Sequence, residues 1–579
     1  MNILKQFKFP EIFTIAILLV IAYSIFVRAQ GLGYSNFQGD EVNPMDFMYE
    51  MKEGVLSYLL SQKRGPMQYL INMANVAIFG YQDEGLIRFP YFIFGVTAIY
   101  LMYRLSKRIF DSGTALIVAL LMSVNGLFIA FARITQYQAF MYFLVPIGVY
   151  LFLSALKELS YKKFLYAGLI MSLSVLAHYD TLSVLPFFII AFIGFYFRSY
   201  KEKVHKNLFK KILKYSLVFF LAFFIPALCY YVPFYLGSAF NSTTSGYLEN
   251  RLFGGGFMPR TAITLKLLTM YIPKFHIYLL FLFGFIGILM QSLNIGSIHI
   301  KFIKISEKFL QYVFITLLVI MPADAIFSLY PIKPRASTLL MIGSSFVIIF
   351  LLTFSKKVPY IFAALSAWFL GAFSFYFFIM KDPRTHVYVV FIPLFILAGY
   401  GFTELYKKLK PIWLKSTYIT SMFLMVIFVS GFNWVVFVDK SPEYPWWDKD
   451  FLGWPIYRIE RVRHKKIEGV FGFNNYRGWE QIADLYKKGC LVGTFNSNEK
   501  NSITYFYTRF DQKQMNEWGM QLDADNLILV EGPHSWEYFS PSSIPNSYRL
   551  LHNIESEGYV VSRVYGLLSL YPKGKMLCE

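Results

Sequence analysis

At 579 residues, 56% of them hydrophobic and 20% aromatic, the chain is far more apolar than a soluble enzyme of its length, and that class is excluded. Its net charge of +20 comes from Lys and Arg spread in short clusters between apolar runs, not gathered into one stripe, which argues against nucleic acid as a partner. The fold class this implies is an α-helical polytopic membrane protein.

About thirteen spans are predicted, because about 20 apolar residues cross a bilayer core of about 30 Å. In chain order they fall near 11–29, 86–104, 114–130, 139–156, 164–179, 181–197, 215–235, 276–292, 309–326, 337–354, 359–380, 387–405 and 416–437. Alternate connections carry the basic clusters: Lys5/Lys8, Lys107/Arg108, Lys162/Lys163, Lys201 to Lys214, Lys301/Lys304/Lys308, Lys356/Lys357 and Lys407/Lys408/Lys410. The positive-inside rule puts these in the cytoplasm. The expected location is therefore a cell membrane, multi-pass, with a cytoplasmic N-terminus and, after an odd number of spans, an extracytoplasmic C-terminus. Ile12 to Val27 is longer than a signal-peptide apolar region and Arg28-Ala-Gln offers no small-x-small cleavage site, so the first span is expected to be retained.

Just outside that span stands the pair Asp40-Glu41, in Gly31-Leu-Gly-Tyr-Ser-Asn-Phe-Gln-Gly-Asp-Glu. A carboxylate there is placed to take a proton from a hydroxyl or amine while a lipid-borne donor is held in the adjacent membrane; a solvated acidic loop is the plainer reading. The same connection continues with an amphipathic stretch, Pro44 to Leu60, predicted to lie flat on the membrane. An apolar run follows, Leu70 to Phe79, too short to span.

Cations recur at the outer ends of spans: Arg64, Arg88, Arg133-Ile-Thr-Gln-Tyr137, His178-Tyr-Asp180, Lys333-Pro-Arg335 and Arg384-Thr-His386. They run against the positive-inside trend, and one shared anionic ligand accounts for them together. The planar guanidinium suits phosphate oxygens. Taken singly, each reads as a side chain snorkelling to headgroups, and a histidine at a helix end is commonly a structural hydrogen bonder.

From about residue 438 the chain turns polar for roughly 140 residues, enough for one domain. Strand-like runs (469–473, 491–495, 527–530, 548–551, 559–565, 568–571) alternate with helix-like ones (478–488, 501–509), which predicts a small α/β extracytoplasmic domain over 438–579 after a membrane domain over 1–437. Its aromatic entry, Tyr444 to Trp454, is expected either to dock on the membrane body or to fill the domain's own core. Of three cysteines, Cys229 lies in a span and reads as packing, whereas Cys490 and Cys578 share the exported tail and can pair in an oxidising compartment. The sequence shows no internal repeat and no Walker, Rossmann or zinc-finger spacing.

Together Asp40-Glu41, Arg64-Gly-Pro-Met, Phe79-Gly80, Leu86-Ile-Arg88-Phe-Pro90, Tyr103-Arg-Leu-Ser-Lys-Arg-Ile-Phe110, Arg133 with Tyr137, and Arg384-Thr-His-Val-Tyr388 with Pro393 resemble the C-type membrane glycosyltransferases. Within them the chain is most similar to the protein O-mannosyltransferase and aminoarabinose-transferase branch. The likeness is good over roughly the first 200 residues, looser to about 410 and absent in the tail. It implies an inverting transfer from a polyprenyl-phosphate-linked sugar donor on the outer face, with Asp40 as base and Glu41 as the second acid of the motif. Glu41 would orient the acceptor or hold Asp40 ionised. Where the family often has His-Pro-Pro, this chain has Arg64-Gly65-Pro66, which makes Arg64 a candidate phosphate ligand.

An in-line displacement at the anomeric carbon needs a single base and inverts configuration, and side chains of adjacent residues on an extended backbone point apart. One base is the simpler reading. No Asp-x-Asp stands near Asp40, so neither a catalytic metal nor another cofactor is expected. The expected site is catalytic Asp40 and Glu41 with substrate-binding Arg64, Arg88, Arg133, Tyr137, His178, Lys333, Arg335, Arg384 and His386. The expected partners are the lipid-linked donor, a protein, lipid or polysaccharide acceptor, and membrane lipids, with no nucleic acid. Two alternatives stand beside this: a transporter or flippase of lipid-linked glycans, for which paired repeats and charges near the bilayer midplane are missing, and a non-catalytic assembly subunit on the same scaffold.

Overall fold

The structure is a computed structural model that describes residues 9–45, 47–50, 54–62, 65–80, 83–201, 206–246, 249, 261–293, 298–300, 303–306, 308–309, 311–313, 315–316, 334–355, 357–381, 383–440, 449–451, 454–457, 471–508, 522–531 and 541–578. Among the described residues, nine helices are long and apolar enough to cross a membrane. They are Ile12–Ala29, Glu84–Ile109, Tyr137–Glu158, Tyr179–Arg198, Phe209–Leu236, Lys274–Ser292, Tyr360–Ile379, Arg384–Lys408 and Ile412–Val438. The protein is thus an α-helical polytopic membrane protein. The buried share rises from 22% in the first of these to 100% in Arg384–Lys408, so the latter forms the axis of the bundle and the former faces lipid, as Leu18 and Leu19 do. The axis approaches Lys274–Ser292 backbone to backbone: a Cβ on Gly401 would lie 2.1 Å from the Phe283 carbonyl oxygen, and one on Gly287 2.5 Å from that of Leu397. Small residues permit this close packing in lipid.

The predicted span 114–130 is two helices, Ser112–Ser123 and Gly126–Phe131. Asn125 breaks it: its side-chain oxygen accepts the Phe128 N–H at 3.4 Å as an N-cap. Buried Arg28, at the end of the first helix, donates to the Ser123 carbonyl at 3.2 Å and so closes the C-terminus of the preceding piece, where a cation is favoured. The predicted span 164–179 is the helix Tyr161–Ala177 and 337–354 is Pro334–Phe354; 309–326 lies largely outside the described residues.

The connection after the first span forms a turn at Gly39–Glu41 and short helices Phe47–Glu50, Val55–Leu60 and Met67–Phe79. The last buries Gln68, Tyr69, Asn72 and Asn75 while Ile78 and Phe79 are exposed. This is the pattern of an interfacial helix.

Beyond the helical body, a four-stranded sheet runs in the order Phe495–Ser497, Asn526–Val530, Tyr559–Leu567, Tyr548–Ser556, the first pair parallel and the others antiparallel. Helices Trp479–Lys487 and Asn501–Tyr507 accompany it. The hairpin turns at Glu557-Gly558, both at positive φ (50° and 81°), the backbone a tight two-residue turn requires. Two predicted strands are corrected. Residues 568–571 form a turn after the sheet, and 471–473 leave it to lie on the membrane body, where a Cβ on Gly472 would meet the Ala130 backbone at 2.6 Å. The strand predicted at 491–495 begins only at Phe495.

The tail does not close its core alone. Phe37, Val42, Met45 and Ile87 from the membrane half share one buried apolar cluster with Trp479, Phe495, Ile503 and Phe506. Docking therefore runs through the connection after the first span; most of the aromatic entry, residues 441–448 and 452–453, lies outside the described residues. Cys490 and Cys578 form a disulfide.

Candidate active site

The turn that carries Asp40 is built around Glu41. Glu41 is fully buried and takes a forked grip from Arg88, Nε to Oε1 at 2.6 Å and Nη2 to Oε2 at 2.9 Å. Its oxygens also accept the Gln38 N–H at 3.0 Å and the Thr135 N–H at 3.1 Å. Arg88 spends its other donors on the carbonyls of Leu32, Ser35 and Asn36. Glu41, expected to orient the acceptor or hold Asp40 ionised, and Arg88, expected as a substrate ligand, are here engaged with each other in a buried ion pair that shapes the loop, since a buried charge must be paired and hydrogen-bonded.

Asp40 differs from its neighbour. Its side chain is 36% exposed and pairs at 3.3 Å with Lys500 of the tail. Position rather than sequence pattern separates the two acids: the turn's Glu41 points inward to Arg88 and Asp40 outward.

A second polar group lies across the Arg133–Tyr137 loop. Thr135 binds Glu41, and Tyr137 stacks on His178 with ring centroids 4.0 Å apart and 8° between planes. His178 Nδ1 accepts the Asp180 N–H at 3.1 Å. The Asp180 carboxylate accepts Nδ1–H of His386 at 2.6 Å on one oxygen and the Tyr376 hydroxyl at 2.9 Å on the other. All of these residues are buried. His178, Asp180 and His386 offer ligand atoms within 4.8 Å of one another, and two imidazoles with a carboxylate suit a transition metal. Ligand atoms about 2.0–2.1 Å from zinc in a tetrahedron stand roughly 3.3 Å apart, so the direct His386–Asp180 hydrogen bond would have to open first.

Asp180 and Tyr376 also belong to the wall of a cavity of about 680 Å³, lined mostly by apolar and aromatic side chains such as Ala227, Tyr231, Phe234 and Ala372, with Ser183 and Thr244 among them. Four of its lining residues, Leu182, Leu228, Tyr235 and Phe375, are exposed. Its size is that of a small-molecule site.

The other expected ligands are distributed differently. Arg133 is buried and donates to the carbonyls of Val27, Arg28, Gln30 and Gly472 and to Asn474 Oδ1. It ties the end of the first helix to the tail. Burial, with Arg88 and Arg28 nearby, pushes its guanidinium down to about 9, still cationic at neutral pH. Arg384 opens the turn Arg384–Val387 that delivers His386 and holds a left-handed backbone, φ 44°, an uncommon conformation that concentrates at functional sites. Arg64 and Lys333 lie outside the described residues, as does the side chain of Arg335. Sequence reasoning missed Tyr376 and Lys500: a tyrosine in an apolar run and a lysine in a polar tail carry no local signal.

These elements define a polytopic membrane protein with a buried polar cluster beside a largely apolar cavity. Its residues 63–230 match the family model described as dolichyl-phosphate-mannose-protein mannosyltransferase, and the chain resembles C-type membrane glycosyltransferases of the protein O-mannosyltransferase and aminoarabinose-transferase branch. No curated protein matches it by sequence. Among solved structures, ArnT from Cupriavidus metallidurans in the apo state is 11% identical at a TM-score of 0.44, over 95% of this chain and 97% of that one. The Saccharomyces cerevisiae protein O-mannosyltransferase Pmt1-Pmt2 complex bound to the sugar donor is 18% identical at 0.29, over 42% and 35%. The Archaeoglobus fulgidus oligosaccharyltransferase in the apo form is 14% identical at 0.31, over 90% and 69%. None is similar enough to carry over a residue's role.

Proposed function

We propose that this chain is a membrane glycosyltransferase that moves a sugar from a polyprenyl-phosphate donor to an acceptor on the outer face of the membrane. The observation that carries this reading is the largely apolar cavity among the membrane-spanning helices whose lining includes Asp180 and Tyr376. A polyprenyl tail enters such a cavity from the bilayer, and its phosphate then lies toward the ionisable end. Arg384 and His386, the latter fixed by Asp180, are the side chains offered to that phosphate. Arginine and histidine stabilise the charge that grows on the leaving phosphate by hydrogen bonds already in place.

In the proposed step, a hydroxyl or amine of a protein, lipid or polysaccharide attacks the anomeric carbon from the face opposite the phosphate. The new bond forms as the C–O bond to phosphate breaks. Asp40 takes the acceptor's proton, polyprenyl phosphate leaves, and configuration inverts because there is one displacement. Exposure favours Asp40 over buried Glu41 for this role. The outward assignment of the site and of a tail domain over 438–579 is supported by the Cys490–Cys578 disulfide, which an oxidising compartment preserves.

The test is transfer by purified, membrane-reconstituted protein supplied with polyprenyl-phosphate sugars, read by mass spectrometry of surface glycans and lipid extracts. Sugar-dependent release of polyprenyl phosphate that is lost in Asp40→Asn is the expected result. Lipid translocation without bond cleavage would replace the transferase reading with the flippase one.

A further inference from the structure

Lys500 reaches three oxygens of the turn that carries Asp40: the Gly39 carbonyl at 3.2 Å, Asp40 Oδ1 at 3.3 Å and Asn43 Oδ1 at 3.4 Å. An ammonium has three donors, and here all three point at one turn some 460 residues away in sequence. We propose that Lys500 is a positioning residue for the transfer, aiming the Asp40 carboxylate at the acceptor, so that the tail completes the active site. The inference rests on Asp40 being the base.

The backbone of Lys500 is fixed on both sides. Before it, Glu499 accepts the Lys500 N–H at 3.0 Å and pairs with Arg477 at 2.5 Å, both fully buried; the Arg477 main-chain N–H is held by Asn36 Oδ1 at 2.9 Å. After it, the helix Asn501–Tyr507 ends on Tyr507, whose hydroxyl accepts the Phe37 N–H at 2.7 Å and also binds Glu84. Phe506 packs edge-on against Phe37 at 5.2 Å. Lys500 therefore approaches the turn from a rigid base, unlike an ordinary surface lysine.

Stability does not account for the contact. With side chains 25% and 36% exposed, an ion pair of this kind contributes little to stability. The surrounding charges already have partners: Glu41 is on Arg88, Glu499 on Arg477, and Glu84 on Asn36 and Tyr507. What three donors on one turn supply is direction. One carboxylate oxygen is anchored and the side chain keeps an exposed edge, the arrangement a base needs to meet an incoming hydroxyl or amine. A small misplacement of a reacting group lowers rate steeply.

The experiment measures transfer by the full-length protein carrying Lys500→Met, Lys500→Gln, Lys500→Arg, Asp40→Asn and the Asp40→Asn/Lys500→Met pair. Lys500→Met should lower kcat by about 10- to 100-fold while the donor KM stays within about twofold, and Lys500→Arg should recover most of it. In the Asp40→Asn background, Lys500→Met should lower the residual rate no further, because the group it aims is gone. Equal losses in both backgrounds, or wild-type kcat in Lys500→Met, would overturn the inference. If Lys500→Met lowers the melting temperature, Lys500→Gln, which keeps a hydrogen-bond donor without the charge, decides on the same criteria. Full activity in Asp40→Asn would instead remove the base assignment on which this rests, so the two failures are told apart.

Discussion

Glu41 grips Arg88 through two parallel hydrogen bonds of 2.6 and 2.9 Å at zero exposure, one residue from an Asp40 that stays 36% exposed. The adjacent acids are thereby divided: Glu41 holds the loop and Asp40 faces what enters. Removing either partner of a buried pair strands the other, which costs about 3–5 kcal/mol. Arg88→Met should therefore sharply lower the melting temperature or the yield of folded protein. Asp40→Asn should leave melting unchanged and lower transfer by about 10²–10⁴-fold. A stable, inactive Arg88→Met protein would count against the structural role of the pair.

The cavity offers a test that leaves the polar site alone. Ala227→Phe places a ring in a space of about 680 Å³. In a filled core such overpacking costs about 1–3 kcal/mol, so unchanged melting would itself confirm the space. Binding of polyprenyl phosphate should fall and short-chain donors should be affected less. Unaltered binding of long-chain donors would place the tail elsewhere.

Asp180 is held by His386, His178 and Tyr376 at the end of that cavity. In Asp180→Asn the carboxylate that orients His386 becomes a neutral amide of the same shape. Donor affinity should drop while the fold persists, and a titration of polyprenyl phosphate reads it directly. Equal affinity in the variant would confine the cluster to a packing role.

Most of the long spans were legible because each rests on a local pattern, a long apolar run; nine such helices stand among the described residues where thirteen spans were expected. The break at Asn125 was visible only as a single polar residue; its N-cap on the Phe128 N–H is local, but the approach of the Tyr271 carbonyl to Gly126, where a Cβ would lie 1.8 Å from it, is tertiary. The arginines show the limit most clearly. Arg88, Arg133 and Arg384 look alike in sequence, yet two of them spend their donors on Glu41 and main-chain carbonyls, and nothing in a linear pattern reveals where carbonyls converge. The tail was legible in its helices and hairpin but not in its docking, because Phe37 and Phe506 are brought together from 469 residues apart.

At the other end of the bundle, Asp111 caps the helix Ser112–Ser123 through the Thr114 N–H at 2.8 Å and meets Lys407 at 3.2 Å. Burial pushes its carboxyl up, but the Thr114 N–H and Lys407 together bring it below the usual range. A carboxyl lowered in the folded state adds stability above its unfolded value and loses it as pH falls through the folded one. Asp111→Ala should cost about 1 kcal/mol at neutral pH, and the difference from wild type should close in acid. A gap that persists unchanged at low pH would show that the charge is not what Asp111 contributes.

The disulfide ties the tail's last residues to the start of its sheet, closing a loop of 88 residues in sequence. In the chain-entropy account a loop of that length stabilises by about 4 kcal/mol. The double change Cys490→Ser/Cys578→Ser should therefore destabilise the tail, and because Lys500 lies ten residues beyond Cys490, transfer should fall while polyprenyl phosphate still binds in the cavity of the helical body. Alkylation supplies the independent check. Protein taken from the outer face under denaturing, non-reducing conditions should expose one reactive thiol, Cys229, and three after reduction. Three reactive thiols without reductant would mean that the bond is not made in the cell and that the tail is held to the site by its hydrogen bonds and apolar core alone.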